Sequence, residues 1–348
     1  MTKRQKIMTA FLMAVIICTV VLLYLVWHRS EQAYGEHGEH AEQRQEEQQS
    51  ESTGELEKLL WRNVELDGKK YRYSSDYETY LMIGTDESGN EDAGREDYVG
   101  NMADFLMLAV LNRKEKTYAF LPLNRDTMTE ISLIDREGEG MATAQMQLCT
   151  AHWYGGTRTE SCENTVKAVS DMLGGLTIDG YYELNCQDIS SLNHEVGGVT
   201  VTIQNDLSSL DPEMKQGATI TLNDEQAYKF IRSREGVEDE ENTSRMERQK
   251  QYMEAMTEKL KEKTKADPET GLKIYDKLSD VSVTNMSGGL LTDILTDMQD
   301  AQDRGMYQID GEIRTGEHLD DGISHTEVYL DQNSIVIILK KLYNIAEY

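Results

Sequence analysis

Arginine is concentrated in one short stretch of the chain. Arg232, Arg234, Arg245 and Arg248 lie close together, and all four positions carry arginine rather than lysine. The planar guanidinium group can bind two phosphate oxygens at once, which the ammonium group of lysine cannot do. The stretch therefore indicates a site for a phosphate-containing ligand. The alternative is a solvated face of ion pairs, because acidic residues occupy the same stretch.

Charged side chains also lie at the ends of three apolar segments. Glu78–Gly84, Phe105–Leu111 and Thr117–Leu123 have the length and composition of buried strands. The charged residues at their ends are Asp86, Asp104, Arg125 and Asp126. The last two segments are close enough for an antiparallel hairpin. If the first segment also runs antiparallel to the second, these side chains converge at one sheet edge, although strand ends generally carry polar residues.

Two helices are predicted to carry the arginine-rich stretch. The first follows Asn223, an N-cap whose capping box is completed by Gln226. The second is predicted to begin at Ser244, with Glu247 in the equivalent place. One face of this second helix carries Arg245, Arg248 and Gln249, beside a methionine and leucine stripe. Cations in a first turn are unfavourable for an isolated helix, so a bound anion would complete the site.

The N-terminal part of the chain predicts a membrane anchor. Residues 7–27 are uncharged and almost wholly apolar, which is long enough for a helix that crosses a bilayer. Basic residues precede this segment and acidic residues follow it, so residues 1–6 are expected in the cytoplasm and the rest outside. A cleaved signal peptide is the alternative, although no small-residue cleavage site follows Trp27. Residues 28–58 contain few apolar side chains and are expected to form a flexible acidic linker.

The charge and the cysteines exclude several kinds of site. A net charge of −28 argues against nucleic acid as a partner, because binding to a phosphate backbone requires a basic face. The cysteine and histidine spacings do not suggest zinc. Cys149 and Cys162 could close a short disulfide loop, worth on the order of 3 kcal/mol. His152 and His194 are interpreted as packing or surface residues rather than catalytic groups.

Taken together, these residues resemble the LytR–CpsA–Psr family of extracellular cell-wall enzymes. The resemblance covers about residues 60–262. The matching motifs, in order, are Gly84-Thr85-Asp86, Ala103-Asp104, Asn124-Arg125-Asp126-Thr127, Val196-Gly197-Gly198-Val199, Arg232-Ser233-Arg234 and Arg245-Met246-Glu247-Arg248-Gln249. The resemblance implies an α/β fold with a mixed, largely antiparallel central sheet, helices on both faces and a groove for a polyprenyl chain.

The resemblance also implies an activity. A membrane-anchored, single-pass phosphotransferase of this family moves an anionic glycopolymer from a polyprenyl-pyrophosphate carrier onto peptidoglycan. Asp86 and Asp104 would hold Mg²⁺ or Mn²⁺ in such an enzyme. The pyrophosphate would be surrounded by Arg125, Arg232, Arg234, Arg245, Arg248 and Gln249. Asp126 would either orient Arg125 or accept the proton of the attacking hydroxyl, and the orienting role is favoured.

This chain departs from the family pattern at three places. Met102 and Phe105 flank Ala103-Asp104 where the family usually has arginine and threonine, and Asn124 replaces a proline. Asn242 replaces an aspartate that is common before the second arginine pair. The missing arginine and threonine motivate one alternative function, a non-catalytic module that binds polymer or lipid. Hydrolysis of the pyrophosphate is another alternative, because the same residues would serve it with water in place of the glycan hydroxyl. A transcriptional regulator, the historical label of the family, conflicts with the predicted topology and the negative charge.

The rest of the chain is expected to complete the domain. Residues 59–265 are predicted to form the catalytic domain, and residues 266–348 either an extension or the completion of its sheet. The predicted elements outside the motifs are a helix over residues 161–173, a strand over residues 199–203, a helix near Leu290, strands near Tyr307 and Val328, and a final helix capped by Asp331.

Overall fold

The computed structural model describes residues 60–90, 94, 97–134, 140–233, 242–316 and 324–348. The predicted cytoplasmic tail, membrane helix and linker lie outside these ranges, as does Arg234. Within the described ranges, the helices all fall short of the length and apolarity needed to cross a bilayer. Leu60–Tyr348 forms a compact unit.

Strands and helices alternate irregularly along this unit. The strands are β1 (Trp61–Leu66), β2 (Lys69–Ser74), β3 (Tyr77–Thr85), β4 (Ala103–Asn112), β5 (Thr117–Leu123), β6 (Met128–Ile134), β7 (Gly140–Gln147), β8 (Gly180–Asn185), β9 (Val199–Thr202), β10 (Thr219–Leu222), β11 (Ser282–Thr284), β12 (Gln302–Met306), β13 (Gly311–Gly316), β14 (His325–Leu330) and β15 (Ala346–Glu347). The α-helices are α1 (Arg158–Met172), α2 (Ile189–Val196), α3 (Asp224–Arg232), α4 (Asn242–Ala266), α5 (Thr270–Leu278), α6 (Gly288–Asp300) and α7 (Gln332–Tyr343). Short 3₁₀ turns span Leu148–Trp153 and Cys186–Asp188.

Six strands form the central sheet, in the order β11-β8-β3-β4-β5-β12. The three central strands β3, β4 and β5 are antiparallel neighbours, as the sequence predicts. β8 runs parallel to β3 and β12 runs parallel to β5, so the sheet is mixed. Both edge strands, β11 and β12, come from the C-terminal region, which therefore completes this sheet.

The central strands bury both faces, because their side chains alternate between two cores. On one face Leu81, Leu108 and Leu121 are fully buried in a core that includes residues of α1 and α7. On the other face Tyr80 and Met107 pack in a smaller core with residues of α6. Truncating one such buried leucine to alanine costs roughly 2–5 kcal/mol. Helices thus cover both faces of a mixed sheet, which confirms the predicted fold class.

A third core lies away from the central sheet. It joins the β9–β10 hairpin to residues of α2, α3, α4 and α5. The predicted capping box at the start of α3 is present, since Asn223 Oδ1 accepts from the Gln226 backbone and the Gln226 side chain accepts from Asn223 N. α4 begins at Asn242, two residues before the predicted start at Ser244. The remaining predicted helices are present, and Asp331 caps α7 by accepting from Asn333 N and Ser334 N.

The two cysteines considered for a disulfide are free thiols that are completely buried. Cys162 Sγ lies 3.7 Å from His152 Nε2. His152 Nδ1 lies 2.8 Å from the carbonyl oxygen of Asn101, an acceptor, so this nitrogen carries the proton of the neutral ring. His152 is therefore a packing residue, as predicted, and it fastens the segment that leads into β4.

Burial lowers the pKa of His152 to about 4. In the unfolded chain the ring titrates at about 6.5, so the unfolded state binds more protons between these two values. The stabilisation is complete above pH 6.5 and is lost as the pH falls towards 4. Integrated over this window, the histidine accounts for about 3 kcal/mol of the free energy of unfolding.

We predict that replacing His152 removes this part of the acid sensitivity. Urea unfolding at pH 7, 5.5 and 4 should show a steeper loss of stability for the wild type than for His152→Gln. The difference between the two slopes should correspond to about 3 kcal/mol over the window. His194→Gln alters an exposed histidine beside Asp224 and serves as the control. Equal slopes for wild type and His152→Gln would contradict the assignment.

Candidate functional site

The end of β3, the start of β4 and the end of β5 lie side by side, and we call this end of the central strands the site edge of the sheet. Thr85 at the end of β3 pairs with Ala103 at the start of β4, and Leu106 of β4 pairs with Leu123 at the end of β5. The predicted convergence of Asp86, Asp104, Arg125 and Asp126 at this edge follows from these antiparallel registers. The prediction of their common location is confirmed.

A β-bulge directs Asp104 into the site. Gly84 pairs with Phe105 and Thr85 pairs with Ala103, which leaves Asp104 as the extra residue on β4. An extra residue bends its strand and re-aims its side chain. Ala103 and Leu106 both face the core shared with α1 and α7, and Asp104 projects towards the arginines.

Asp104 bridges two arginines that are far apart in sequence. One carboxylate oxygen contacts Nη1 of Arg125, and the other accepts from Nη1 of Arg245 at 2.8 Å. The side chain of Arg245 is 1% exposed and that of Asp104 is 11% exposed. Removing one member of such a buried ion pair costs about 3–5 kcal/mol, because the other charge is left without compensation. Asp104 thus ties the central sheet to the first turn of α4.

The guanidinium group of Arg125 contacts three further side chains besides Asp104. Its Nε lies 3.3 Å from Asp126 Oδ1, and its Nη2 donates to Cys149 Sγ at 3.1 Å and to Met102 Sδ at 3.2 Å. Burial raises the pKa of the Cys149 thiol, although Arg125 acts in the opposite direction. The thiol is therefore neutral at physiological pH and acts as a weak acceptor for Arg125.

Asp126 is oriented by the C-terminal region. Gln147 Nε2 donates to Asp126 Oδ1 at 3.1 Å and to the carbonyl oxygen of Thr326 at 2.7 Å. The backbone N–H of Val328 donates to the Asp126 carbonyl at 2.9 Å. No site residue was predicted in this region, yet β14 reaches the site through these bonds. The bonds from Gln147 and Val328 fix the position of Asp126 next to Arg125.

Asp86 lies at the end of β3, beside Met102. Its Oδ1 accepts from Ser88 N at 3.0 Å, Ser88 Oγ at 2.7 Å and Met102 N at 2.8 Å. Asn185 Nδ2 donates to its backbone carbonyl at 2.7 Å. The side chain is therefore held by one oxygen in a local turn at the same edge as Asp104.

The two aspartates were predicted to hold a divalent cation. In the part of the chain that the structure describes, His, Cys, Asp and Glu side chains form no group of three or more that could chelate a metal ion. Mg²⁺ commonly uses only one or two carboxylates and takes its other ligands from substrate phosphates and water. Asp86 and Asp104 fit that donor set. Asp104 would then have to exchange contacts with Arg125 or Arg245 for contacts with the cation.

Arg232 is the exposed cation of the site. It lies at the C-terminal end of α3, with its guanidinium 5.5 Å from the centre of the Tyr228 ring. Burial raises the pKa of the Cys186 thiol to about 11, while Arg245 and then Arg232 lower it and Asp86 raises it. Arg245, Asp86 and Arg232 therefore all lie within electrostatic range of Cys186.

Arg248 and Gln249 bind the end of α3 rather than projecting freely into the site. Arg248 Nε donates to the Phe230 carbonyl at 2.9 Å and its Nη2 donates to the Ser233 carbonyl. Gln249 Nε2 donates to the Ile231 carbonyl at 3.2 Å. These carbonyls lie in the last turn, where helices lack internal partners, and a cation there is favoured by the helix dipole. The two side chains thus position Arg232 relative to α4.

Arg158 and Glu183 also belong to this part of the fold, and the sequence analysis missed them. The carboxylate of Glu183 is fully buried, accepts from Thr85 Oγ1 at 2.7 Å and pairs with Arg158 Nη2 at 2.5 Å. Glu183 interrupts an otherwise apolar strand, which is the signal that could have identified it. The pair supports the end of β3 immediately before Asp86.

An apolar cavity of about 240 Å³ shares Phe105 and Gln249 with a small cavity that Asp104 and Arg125 line. It lies between the sheet and helices α4, α5 and α6, with Met82, Phe105, Ala109, Met253 and Leu291 among its lining residues. Asn185, Gln249 and Lys261 are among its few polar lining residues. One water molecule needs about 10–15 Å³ of such space, so the cavity can hold an extended hydrocarbon segment. An anion site beside an apolar cavity suits an amphiphile with a charged head.

Comparison with known proteins gives a consistent result. The model of the LytR_cpsA_psr family matches residues 23–342. A relative from Bacillus subtilis strain 168, named polyisoprenyl-teichoic acid–peptidoglycan teichoic acid transferase TagT, is 27% identical over 229 residues. The match covers 64% of this chain and 63% of the length of that relative.

Solved structures share the fold. A Streptococcus agalactiae protein, gbs0355, is 22% identical with a TM-score of 0.61, and the match covers 78% of this chain and 89% of that one. The family protein YwtF (TagT) with bound octaprenyl pyrophosphate lipid is 22% identical with a TM-score of 0.52, covering 78% and 90%. The family match spans most of the sequence, and it confirms the family that the motifs predict. This chain therefore belongs to the LytR–CpsA–Psr family.

Proposed function

We propose that this protein transfers an anionic glycopolymer, with one phosphate, from a polyprenyl-pyrophosphate carrier to a hydroxyl group of peptidoglycan. The observation that carries the proposal is that Asp104 holds Arg125 and Arg245, and that Asp104 and Arg125 line a small cavity that shares Phe105 and Gln249 with an apolar cavity. The arginines suit a diphosphate and the cavity suits a prenyl chain. The name of the Bacillus subtilis relative and the lipid in the YwtF (TagT) structure support this assignment.

The reaction exchanges a phosphoanhydride bond for a phosphoester bond. The acceptor hydroxyl oxygen attacks the phosphorus that carries the glycopolymer, and a new P–O bond forms. The bond from this phosphorus to the bridging oxygen breaks, and its electron pair leaves with the polyprenyl monophosphate. The hydroxyl proton passes to solvent, and the product is a phosphodiester between glycopolymer and peptidoglycan. No oxidant, reductant or nucleotide is required.

The arginines supply most of the catalytic effect in this proposal. Negative charge develops on the leaving phosphate, and preformed donors in a site of low dielectric stabilise it. Without substrate, Asp104 pairs with both Arg125 and Arg245 and keeps the two guanidinium groups in place, and Asp126 supplies the second negative charge. An arriving diphosphate provides stronger and more numerous acceptors for the same guanidinium groups. Asp126 holds Arg125 in orientation, which agrees with its bonds to Gln147 and Val328.

A divalent cation is part of the proposal. Asp86 and Asp104 are the residues that would hold Mg²⁺ or Mn²⁺, together with diphosphate oxygens. A bound cation would neutralise diphosphate charge and polarise the phosphorus–oxygen bonds. Because the carrier is apolar, we also infer that the protein works at the outer surface of the cell membrane, with residues 7–27 as its anchor.

We predict that Arg125→Ala lowers transfer about 10²–10³-fold, the usual effect of removing one donor that stabilises transition-state charge. The full-length protein should be incubated with polyprenyl-pyrophosphate glycan, Mg²⁺ and peptidoglycan fragments, and products followed by mass spectrometry. Arg72→Ala, which alters an arginine packed on Trp61 and Tyr348, is the control. Polyprenyl monophosphate with free glycan phosphate would indicate hydrolysis, and wild-type rates for Arg125→Ala would remove this site from the reaction.

We predict that Asp86→Asn weakens the cation requirement of the protein while keeping its fold. The amide oxygen of asparagine can still accept from Ser88 and Met102, but the negative charge is gone. The Mg²⁺ or Mn²⁺ concentration for half-saturation should rise about tenfold or more, both in transfer and in calorimetric titration with pyrophosphate. Asp206→Asn is a matched control, because Asp206 Oδ1 accepts from Ser208 N in the same kind of turn. An unchanged titration would place the cation elsewhere.

We predict that Gln147→Met lowers the turnover of Arg125-dependent transfer. Methionine keeps the volume, but Asp126 and the Thr326 carbonyl each lose a donor. The free energy of unfolding should fall by about 1–3 kcal/mol, and kcat should fall more than the donor KM changes. Gln145→Met, on an exposed position of the same strand, is the control. If both variants keep the wild-type kcat, Gln147 has no positioning role.

A further inference from the structure

The site lies between two cavities, one with an almost wholly apolar lining and one with a lining of both polar and apolar residues. A small cavity bounded by Asp104 and Arg125 shares Phe105 and Gln249 with the apolar cavity on one side. On the other side it shares Lys250 and three further residues with a third cavity of about 270 Å³. We call this third cavity the distal groove. Its polar lining residues are Asn124, Thr127, Glu247, Lys250, Gln308 and Asp310, and Tyr307 provides an aromatic ring.

The chemistry of the distal groove suits a sugar. Amide, carboxylate, ammonium and hydroxyl groups provide both donors and acceptors for the hydroxyls of a saccharide. Tyr307 is half-buried and offers an apolar ring edge or face together with a polar tip. The apolar cavity, in contrast, is lined almost wholly by aliphatic, aromatic and methionine side chains. The two cavities are therefore built for different parts of the reacting molecules.

The walls of the distal groove are fixed before any ligand arrives. Glu247 and Lys250 lie on α4, in the turn that follows Arg245. On the opposite wall, Tyr307 N donates to the Phe120 carbonyl at 2.9 Å and Asp310 N donates to Ser334 Oγ at 2.9 Å. A rigid wall reduces the ordering cost of binding.

The geometry of phosphoryl transfer indicates which substrate occupies the distal groove. In phosphoryl transfer the attacking oxygen and the leaving oxygen lie roughly in line, on opposite sides of the phosphorus. With the prenyl chain in the apolar cavity, the leaving phosphate lies on that side of Arg125. The attacking hydroxyl must then approach from the other side, where the distal groove begins.

The charge of the groove separates the acceptor from the anionic donor polymer. Glu247 and Asp310 line it together with a single lysine, Lys250. A polymer rich in phosphate would be repelled by the two carboxylates, whereas hydroxylated sugar rings without phosphate would not be. We propose that the distal groove binds the sugar of the acceptor glycan strand and presents its hydroxyl to the phosphorus held by Arg125. This proposal rests on the proposed function.

The test is a change in acceptor use without a change in donor use. For the full-length protein, Tyr307→Ala should raise the KM for muramidase-released peptidoglycan fragments about tenfold, the loss expected for one aromatic contact and its hydrogen bond. Gln308→Ala, at an exposed position that cannot disturb the core, should raise the same KM about threefold. The KM for the lipid-linked donor should not change. Tyr348→Ala, at an exposed tyrosine outside the groove, is the control.

Two further outcomes keep this proposal separate from the proposed function. A raised donor KM with an unchanged acceptor KM would show that the groove holds the donor glycan and would overturn the proposal, as would unchanged constants in both variants. Equilibrium binding of the same fragments should be measured by NMR on wild type, Tyr307→Ala and Gln308→Ala. The wild type could bind the fragments without transferring any glycan, while both variants lose this binding. That result would contradict the proposed function but support the assignment of the groove to the acceptor sugar. If the wild type does not bind the fragments, the proposal that the distal groove binds the acceptor sugar is wrong.

Discussion

The contact of Asp104 with Arg125 and Arg245 is the interaction on which the site depends. It joins the central sheet to α4 across 141 positions of sequence. Two buried guanidinium groups would be strongly destabilising without a carboxylate between them. The same neutralisation leaves a site that is stable when empty and ready to accept a stronger anion. The β-bulge makes this contact possible, because it changes the direction of the Asp104 side chain relative to the regular alternation of β4.

Around that contact, each neighbouring element has a defined part. Arg248 and Gln249 bind the carbonyls at the end of α3 and so place Arg232. Gln147 and β14 hold Asp126 behind Arg125. In a chain with a net charge of −28, an anionic substrate needs such a local concentration of arginine to overcome the surrounding field. In the proposed reaction, the apolar cavity on one side of the arginines holds the prenyl chain, and the distal groove on the other side holds the acceptor sugar.

Much of this arrangement could be predicted from local patterns. Three apolar segments and their turns predicted β3, β4 and β5, and their antiparallel order predicted the common edge of Asp86, Asp104 and Arg125. The capping box at Asn223 depends on residues three positions apart, so it too could be predicted. The start of α4 was predicted two residues late, because Ser244 is also a good N-cap and helix ends carry weak signals. Arg234 and the predicted anchor lie outside the described residues.

The sequence by itself determined the family, the charged residue types and the three central strands with the β4–β5 hairpin, since these depend on composition, periodicity and motif spacing over short ranges. Only the tertiary structure decided which of those charges are partners. Three contacts join segments that are far apart in sequence. They are the bridge through Asp104, the contact of β14 with Asp126, and the pairing of buried Glu183 with Arg158 and Thr85. Such contacts are set by packing and by the need to pair every buried charge, and single-sequence periodicity carries no information about either.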